Sequence, residues 1–304
     1  MTRRGLILFA AMCVIWGIPY LFIKIAVRDL SPATLVWSRN LLAALLLLPL
    51  AAGRDELRPL VRRWLPLIVF TVVEIAVPWL LLASAEQKLS SSLTALLIAA
   101  VPLIGVLLGL AVGSRERLGG RALGGLFVGL VGVAALVGLD TGGATALAIA
   151  EVLGVAFCYA LGPLILDRYL SDLPALGVIA ASLGLCALGY TPIALFHLPA
   201  ATPGAEVIVS VLVLAFVCTA LAFVLFFRLI AEVGPVRATV ITYVNPAVAA
   251  IAGVVFLGES FTAGMGVGLV LILAGSALAT RGGRRDEVGS AASVPAAPAP
   301  VPEP

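Results

Sequence analysis

Apolar and polar positions along the chain fall into long blocks. Mostly apolar runs recur ten times, at about 6–27, 33–52, 66–85, 91–113, 121–139, 146–166, 175–196, 207–229, 236–257 and 263–280. A helix needs about 20 such residues to cross a bilayer, so the pattern predicts an all-α integral membrane protein with ten transmembrane helices. The longest internal connection, 53–65, is too short to fold as a separate domain. The cut between the fifth and sixth runs rests on Asp140-Thr141-Gly142-Gly143. The first run follows Met1-Thr2-Arg3-Arg4 and is too long for the core of a signal peptide, which predicts a retained first helix. Residues 281–304 change character, with Arg281, Arg284 and Arg285 leading into VPAAPAPVPEP, and predict a disordered tail.

The chain also repeats. A shift of 143 residues lays Glu116 on Glu259, Gly125 on Gly268, Gly132 on Gly275 and Pro49 on Pro192; a shift of 144 lays Pro102 on Pro246. Five spans per half is odd, so halves 1–140 and 141–280 must enter the membrane in opposite directions. Two five-helix inverted repeats are a recurring plan of secondary transporters.

Composition agrees with the pattern. Of 304 residues, 62% are hydrophobic and 12% charged, against about 25% charged in ordinary soluble domains. This excludes a soluble enzyme, a disordered chain and a nucleic-acid-binding domain, and makes the lipid bilayer the surrounding medium. Ten spans put both termini on one side. With that side cytoplasmic, 15 of the 19 Lys and Arg residues lie inside, and only Arg28 and Lys88 lie outside. The positive-inside rule then favours both termini in the cytoplasm of a cell with this protein in its inner (plasma) membrane. The four cysteines, Cys13, Cys158, Cys186 and Cys218, sit in apolar runs without C-x-x-C spacing and predict reduced core thiols. No P-loop or H-E-x-x-H occurs, the single His197 lies at a span end, and no cofactor is implied. A membrane channel, a non-transporting scaffold and an intramembrane enzyme are the alternatives to a transporter.

Glu74 is the foremost candidate for chemistry. It lies about 12 Å from the cytoplasmic end of its helix at 1.5 Å per residue, where a carboxylate costs about 2.5–3.5 kcal/mol on insertion scales. Two roles fit: a proton-coupling site or ligand for a cationic substrate group, and a structural pair between helices. Pro78, four residues on, removes the hydrogen bond to the Glu74 carbonyl and predicts a kink. Arg39 sits about 9 Å inside its helix from the outer end. It either snorkels outward or pairs with Glu74 or a substrate carboxylate. Lys24, closer to the outer end, snorkels more easily. Trp16 and Tyr20, at i and i+4 on one helix face, together with Trp79, Tyr243 and Tyr159, are candidates for an apolar substrate pocket or plain core; Trp37 suits the outer aromatic belt. Asn245-Pro246 and Pro102 predict paired helix breaks flanking a central site, with Asn245 a candidate substrate contact. Glycines spaced by four, at Gly105, Gly109 and Gly113, at Gly125 and Gly129, and at Gly264 and Gly268, predict close helix packing within the fold or a homodimer contact.

Three stretches resemble the drug/metabolite transporter superfamily, EamA-type. They are Trp16-Gly17-Ile18-Pro19-Tyr20-Leu21-Phe22-Ile23-Lys24 with Ser31-Pro32 and Arg39; Pro102 through Glu116 with the glycine-rich run after it; and Asn245-Pro246 through Leu257-Gly258-Glu259. The likeness spans about residues 6–280. It implies transport of a small metabolite or drug, usually export, by alternating access between two five-helix halves. The first half departs from it, with Gly113-Ser114-Arg115-Glu116 where the second has Leu-Gly-Glu, which confines Glu116 to helix capping.

Overall fold

Apolar runs of this length satisfy their backbone polar groups internally by coiling into helices. The computed structural model describes residues 2–111, 120–139, 146–234, 238 and 240–281, and no strand occurs among the described residues. Among the described residues seven helices are long and apolar enough to cross a membrane: α1 (Arg3–Ala26), α2 (Pro32–Ala52), α3 (Arg58–Glu86), α4 (Ser91–Gly109), α6 (Ala146–Leu170), α7 (Ala175–Phe196) and α8 (Ala205–Val233). Three shorter apolar helices, α5 (Gly120–Leu136), α9 (Ile241–Leu257) and α10 (Ala263–Ala279), occupy the remaining predicted runs. Large apolar side chains such as Leu45, Phe127 and Phe256 face outward, as lipid-facing positions do. Glu116, the Asp140–Gly143 turn and the tail beyond Arg281 lie outside the described residues.

The helices pair in a pattern that matches the repeat. Helices α2 and α7, α4 and α9, and α5 and α10 are each related by the 143-residue shift, and each pair is in contact. The contacts α1–α8 and α3–α6 exchange with one another under the same shift. The α5–α10 seam depends on glycine. A Cβ at Gly125 would meet the Gly275 carbonyl and the Leu278 side chain, and one at Gly268 would meet Leu136 and the Gly132 carbonyl. These glycines let two backbones approach within the chain. Gly105, by contrast, has nothing within 4 Å of its Cβ position among the described residues.

Four irregularities shape the interior. Helix α1 breaks at Trp16-Gly17-Ile18 and resumes at Pro19, so Trp16 and Tyr20 do not share the continuous face expected at i and i+4. Helix α4 turns at Ala99-Ala100 and resumes with Pro102 in its next turn, as expected. Helix α3 carries a π-helical segment, Val72–Ala76, just before Pro78. This wider turn, not a simple proline kink, absorbs the missing N–H. Helix α8 carries a second π segment, Val213–Leu221, at the repeat-related position. The expected break at Asn245-Pro246 does not occur. Pro246 lies in the second turn of α9, and the helix runs through it to Leu257.

Candidate functional site

The repeat halves meet at the two π segments. The middle of α2 packs on the π segment of α8, and α7 packs on that of α3. Across the first contact Arg39 Nε donates to Thr219 Oγ1 at 2.8 Å. The Thr219 hydroxyl in turn donates to the Leu214 carbonyl, five residues back, at 2.7 Å. Across the second, the Tyr190 hydroxyl donates to the Ala76 carbonyl at 2.9 Å. A π turn leaves carbonyls poorly matched to the helical ladder, and both side-chain bonds use such carbonyls directly or through one hydroxyl.

Arg39 is only 7% exposed. It does not snorkel to the surface. Its guanidinium carbon lies 3.7 Å from the ring centroid of Trp79, a cation–π stack. It lines a small cavity with Ile23, Leu35, Val36, Trp79 and Ala83. No carboxylate lies within ion-pair distance of Arg39 among the described residues, whose ion pairs are Arg28–Glu206, Arg58–Asp55 and Arg63–Asp172. Arg39 and Glu74 therefore do not form the direct pair that was one sequence expectation. The phenol of Tyr159, from α6, lies within electrostatic reach of both Glu74 and Arg39.

Glu74 sits within the π segment of α3. Its Oε2 is buried without a hydrogen-bond partner among the described residues. The carboxyl fits against α6 because residue 162 is glycine; a Cβ there would overlap the Glu74 carboxylate. An acid, a buried arginine, an indole and a phenol thus stand near one another inside the helix bundle, contributed by α2, α3 and α6, with Thr219 of α8 on the arginine.

The other sequence candidates make contacts of their own, none of them with Arg39 or Glu74 among the described contacts. Trp16 packs on Phe226 and Phe223 of α8, at 4.6 Å and 5.9 Å between ring centroids. Tyr20 is half-buried against the apolar cluster that also holds Tyr159. Tyr243 and Asn245 stand on the first turns of α9. With its amide oriented to suit its neighbours, Asn245 donates to the carbonyls of Cys13 and Ile241 at 3.1 and 3.0 Å. The Cys13 carbonyl stands at the α1 break, so Asn245 covers a backbone acceptor that the break uncovers. Trp37 Nε1 donates to Thr191 Oγ1 of α7 at 3.0 Å. All four cysteines are free.

A second polar cluster lies at the other end of α3. Lys24 Nζ donates to the carbonyls of Glu86 and Leu89 at 2.6 and 2.7 Å, turning inward rather than to the surface. Glu259 accepts from the amides of Ser91 and Ser92 at 2.7 and 2.9 Å and from the Ser92 hydroxyl at 2.6 Å. The preceding Gly258, at φ 66°, makes the left-handed turn that brings Glu259 back to the α4 N-terminus. Glu86, Thr219 and Gly162 are missing from the sequence candidates. Glu86 stands one residue past the apolar run 66–85, where an acid looks like a loop residue. No local signal marks Thr219 or Gly162.

The profile of the EamA-like transporter family matches the chain twice, over residues 3–138 and 146–281. Comparison with curated proteins finds no match. Among solved structures 13 chains match. One crystal structure aligns with a TM-score of 0.66 at 19% identity, covering 94% of this chain and 100% of its own, a likeness of fold.

Proposed function

The chain belongs to the EamA-like transporter family of the drug/metabolite transporter superfamily, and from that premise we propose that it is a secondary exporter of a small organic solute, an amino acid or related compound, or a drug. Members of the family are transporters rather than enzymes. The proposed path has ten spans in the inner membrane, with both termini cytoplasmic. Contacts between chain ends support it. Thr2 with Glu232, Glu56 with Gly177 and Arg63 with Asp172 join ends assigned to the inside. Arg28 with Glu206, Asp29 with Gly204 and Thr34 with His197 join ends assigned to the outside.

The observation that carries the reading is Arg39. It is a buried cation lining a small cavity of the first half, held by an indole and, from the second half, by the Thr219 hydroxyl, and by no carboxylate among the described residues. A guanidinium so placed offers its fork to a carboxylate of the solute, with Trp79 as an apolar wall. Halves 1–140 and 141–280 rock about this centre. Glu74, against Gly162, supplies the proton-coupling carboxyl, and Tyr159 stands between it and the solute. Extracellular metabolite profiling tests the reading, with cells making wild type, Arg39→Met and Glu74→Gln at matched membrane levels. A carboxylate-bearing solute should accumulate outside with the wild type alone. Equal profiles in all three would overturn the site, and wild-type export by Glu74→Gln across a pH gradient would remove the proton role.

A further inference from the structure

Glu86, the last residue of α3, is not used by the mid-membrane site. It is fully buried, at 0% exposure. Neither of its carboxyl oxygens has a hydrogen-bond partner among the described residues. The groups facing it are Lys24 and Tyr20 of α1 and Glu259 of the α9–α10 connection, with Glu151 of α6 nearby on Ser84. The charged ones are engaged elsewhere. Lys24 Nζ is on the Glu86 and Leu89 main-chain carbonyls, Glu259 is on the α4 amides, and Glu151 accepts from Ser84 at 2.8 Å.

A carboxylate buried without donors is strongly disfavoured, whereas the neutral acid is tolerated. A hard metal cation would need about six or more oxygens. The carbonyls and the carboxylate that would complete such a shell already hold Lys24 and the Ser91 and Ser92 amides. A proton needs one oxygen. We infer that Glu86 is a proton-binding site at the outer face, filled while that face is closed.

The closed face is the one described. Lys24 ties α1 to the α3–α4 turn within the first half, and Glu259 of the α9–α10 connection ties the outer end of the second half to α4 of the first. Opening parts Glu259 from the α4 amides and admits water to Glu86, and Lys24 Nζ exchanges its two carbonyls for that water. The Glu86 O–H bond then breaks, its proton passes to water, and the carboxylate pairs with the Lys24 ammonium. An external proton reverses the step: it bonds to the carboxylate, the pair parts, and Lys24 returns to the two carbonyls. External acid therefore favours outer closure, the return stroke of an exporter that has released its solute. This role rests on the transporter reading; the protonation itself does not.

The test uses full-length protein in lipid vesicles and needs no solute. Infrared difference spectra should show a protonated-carboxyl C=O band at neutral pH that Glu86→Gln removes and Glu74→Gln leaves in place. In parallel, Leu89→Cys is labelled from outside with a membrane-impermeant maleimide, its rate divided by that of exposed Lys88→Cys to cancel thiol ionisation. The ratio should rise several-fold from acid to alkaline pH, and stay low and flat when Glu86→Gln is added. Should Glu86→Gln fail to insert, Glu86→Asp serves, and its band must move in frequency. A band unchanged by either substitution, or a ratio that follows pH without Glu86, overturns the inference. Because neither readout involves export, a protein that exports nothing would still report on Glu86.

Discussion

Replacing Arg39 with methionine should leave the fold standing and stop export. A guanidinium in the membrane interior costs about 2.5–3.5 kcal/mol on insertion scales. Two contacts offset that cost. The bond to Thr219, with a charged donor, contributes about 1.5–3 kcal/mol. The stack on Trp79 adds about 0.5–2 kcal/mol. The two sides nearly cancel, so removing the whole group shifts stability by no more than about 2.5 kcal/mol either way. Thr219 keeps its bond to the Leu214 carbonyl, so no buried hydroxyl is stranded, and methionine is flexible enough to fill the gap. Solute binding has no such compensation. Loss of one partner from a buried, hydrogen-bonded charge pair costs about 2–5 kcal/mol, which at 1.4 kcal/mol per tenfold is about thirtyfold to several thousandfold in affinity. Arg39→Lys keeps the charge without the fork or the stack and should fall between. Reversible unfolding in mixed micelles measures the first quantity, and export of the profiled solute the second. A stability loss above about 4 kcal/mol, the size expected when a structural buried pair is broken, would refute the reasoning, as would intact export.

Three further outcomes are expected. Gly162→Ala drives a Cβ into the Glu74 carboxyl and should cost about 1–3 kcal/mol of stability; adding Glu74→Ala should relieve most of it, and a double-mutant cycle with no coupling would show that the two residues do not touch. Glu259→Ala removes the acceptor of two α4 amides and should destabilise by about 2–4 kcal/mol, with Glu259→Gln losing less; equal unfolding midpoints for all three forms would contradict the cap. Tags at both termini should react with impermeant reagents only after the cytoplasmic face is exposed, and a C-terminal tag reached from outside would break the ten-span path.

The positions of the helices are legible in the sequence because lipid leaves the backbone few choices. The ten apolar runs coincide with seven long apolar helices and three shorter ones among the described residues, and Gly125 and Gly268, read as packing glycines from their four-residue spacing, sit in the α5–α10 seam. Polar side chains set inside apolar runs are found with buried ends, Arg39 at 7% exposure and Glu74 at its Oε2. Partners are not legible. Arg39 meets Thr219, 180 residues away, across a contact that no local pattern encodes. Lys24 turns inward because the end of α3 presents carbonyls that the helix no longer uses. Glu86 escapes notice because helix α3 continues one residue beyond its apolar run, and the charged groups near it, Lys24 and Glu259, come from distant parts of the chain. Proline misleads in α9, where its cost falls near the start of a helix that packs well enough to continue.

The two π segments bear on ancestry. A π turn holds one residue more than the α-helical turn it replaces, so each marks a single-residue insertion in a straight helix. Val72–Ala76 shifted by 143 falls on 215–219, inside Val213–Leu221. One insertion, made before an ancestral half-length gene was duplicated, accounts for both. The ancestor would then have been a five-helix chain that worked as an antiparallel pair, with its bulge already at the contact between copies. The polar groups now gathered there diverged later, glutamate on one bulge and threonine on the other. Asymmetry at the centre is on this account the younger trait and the bulge the older.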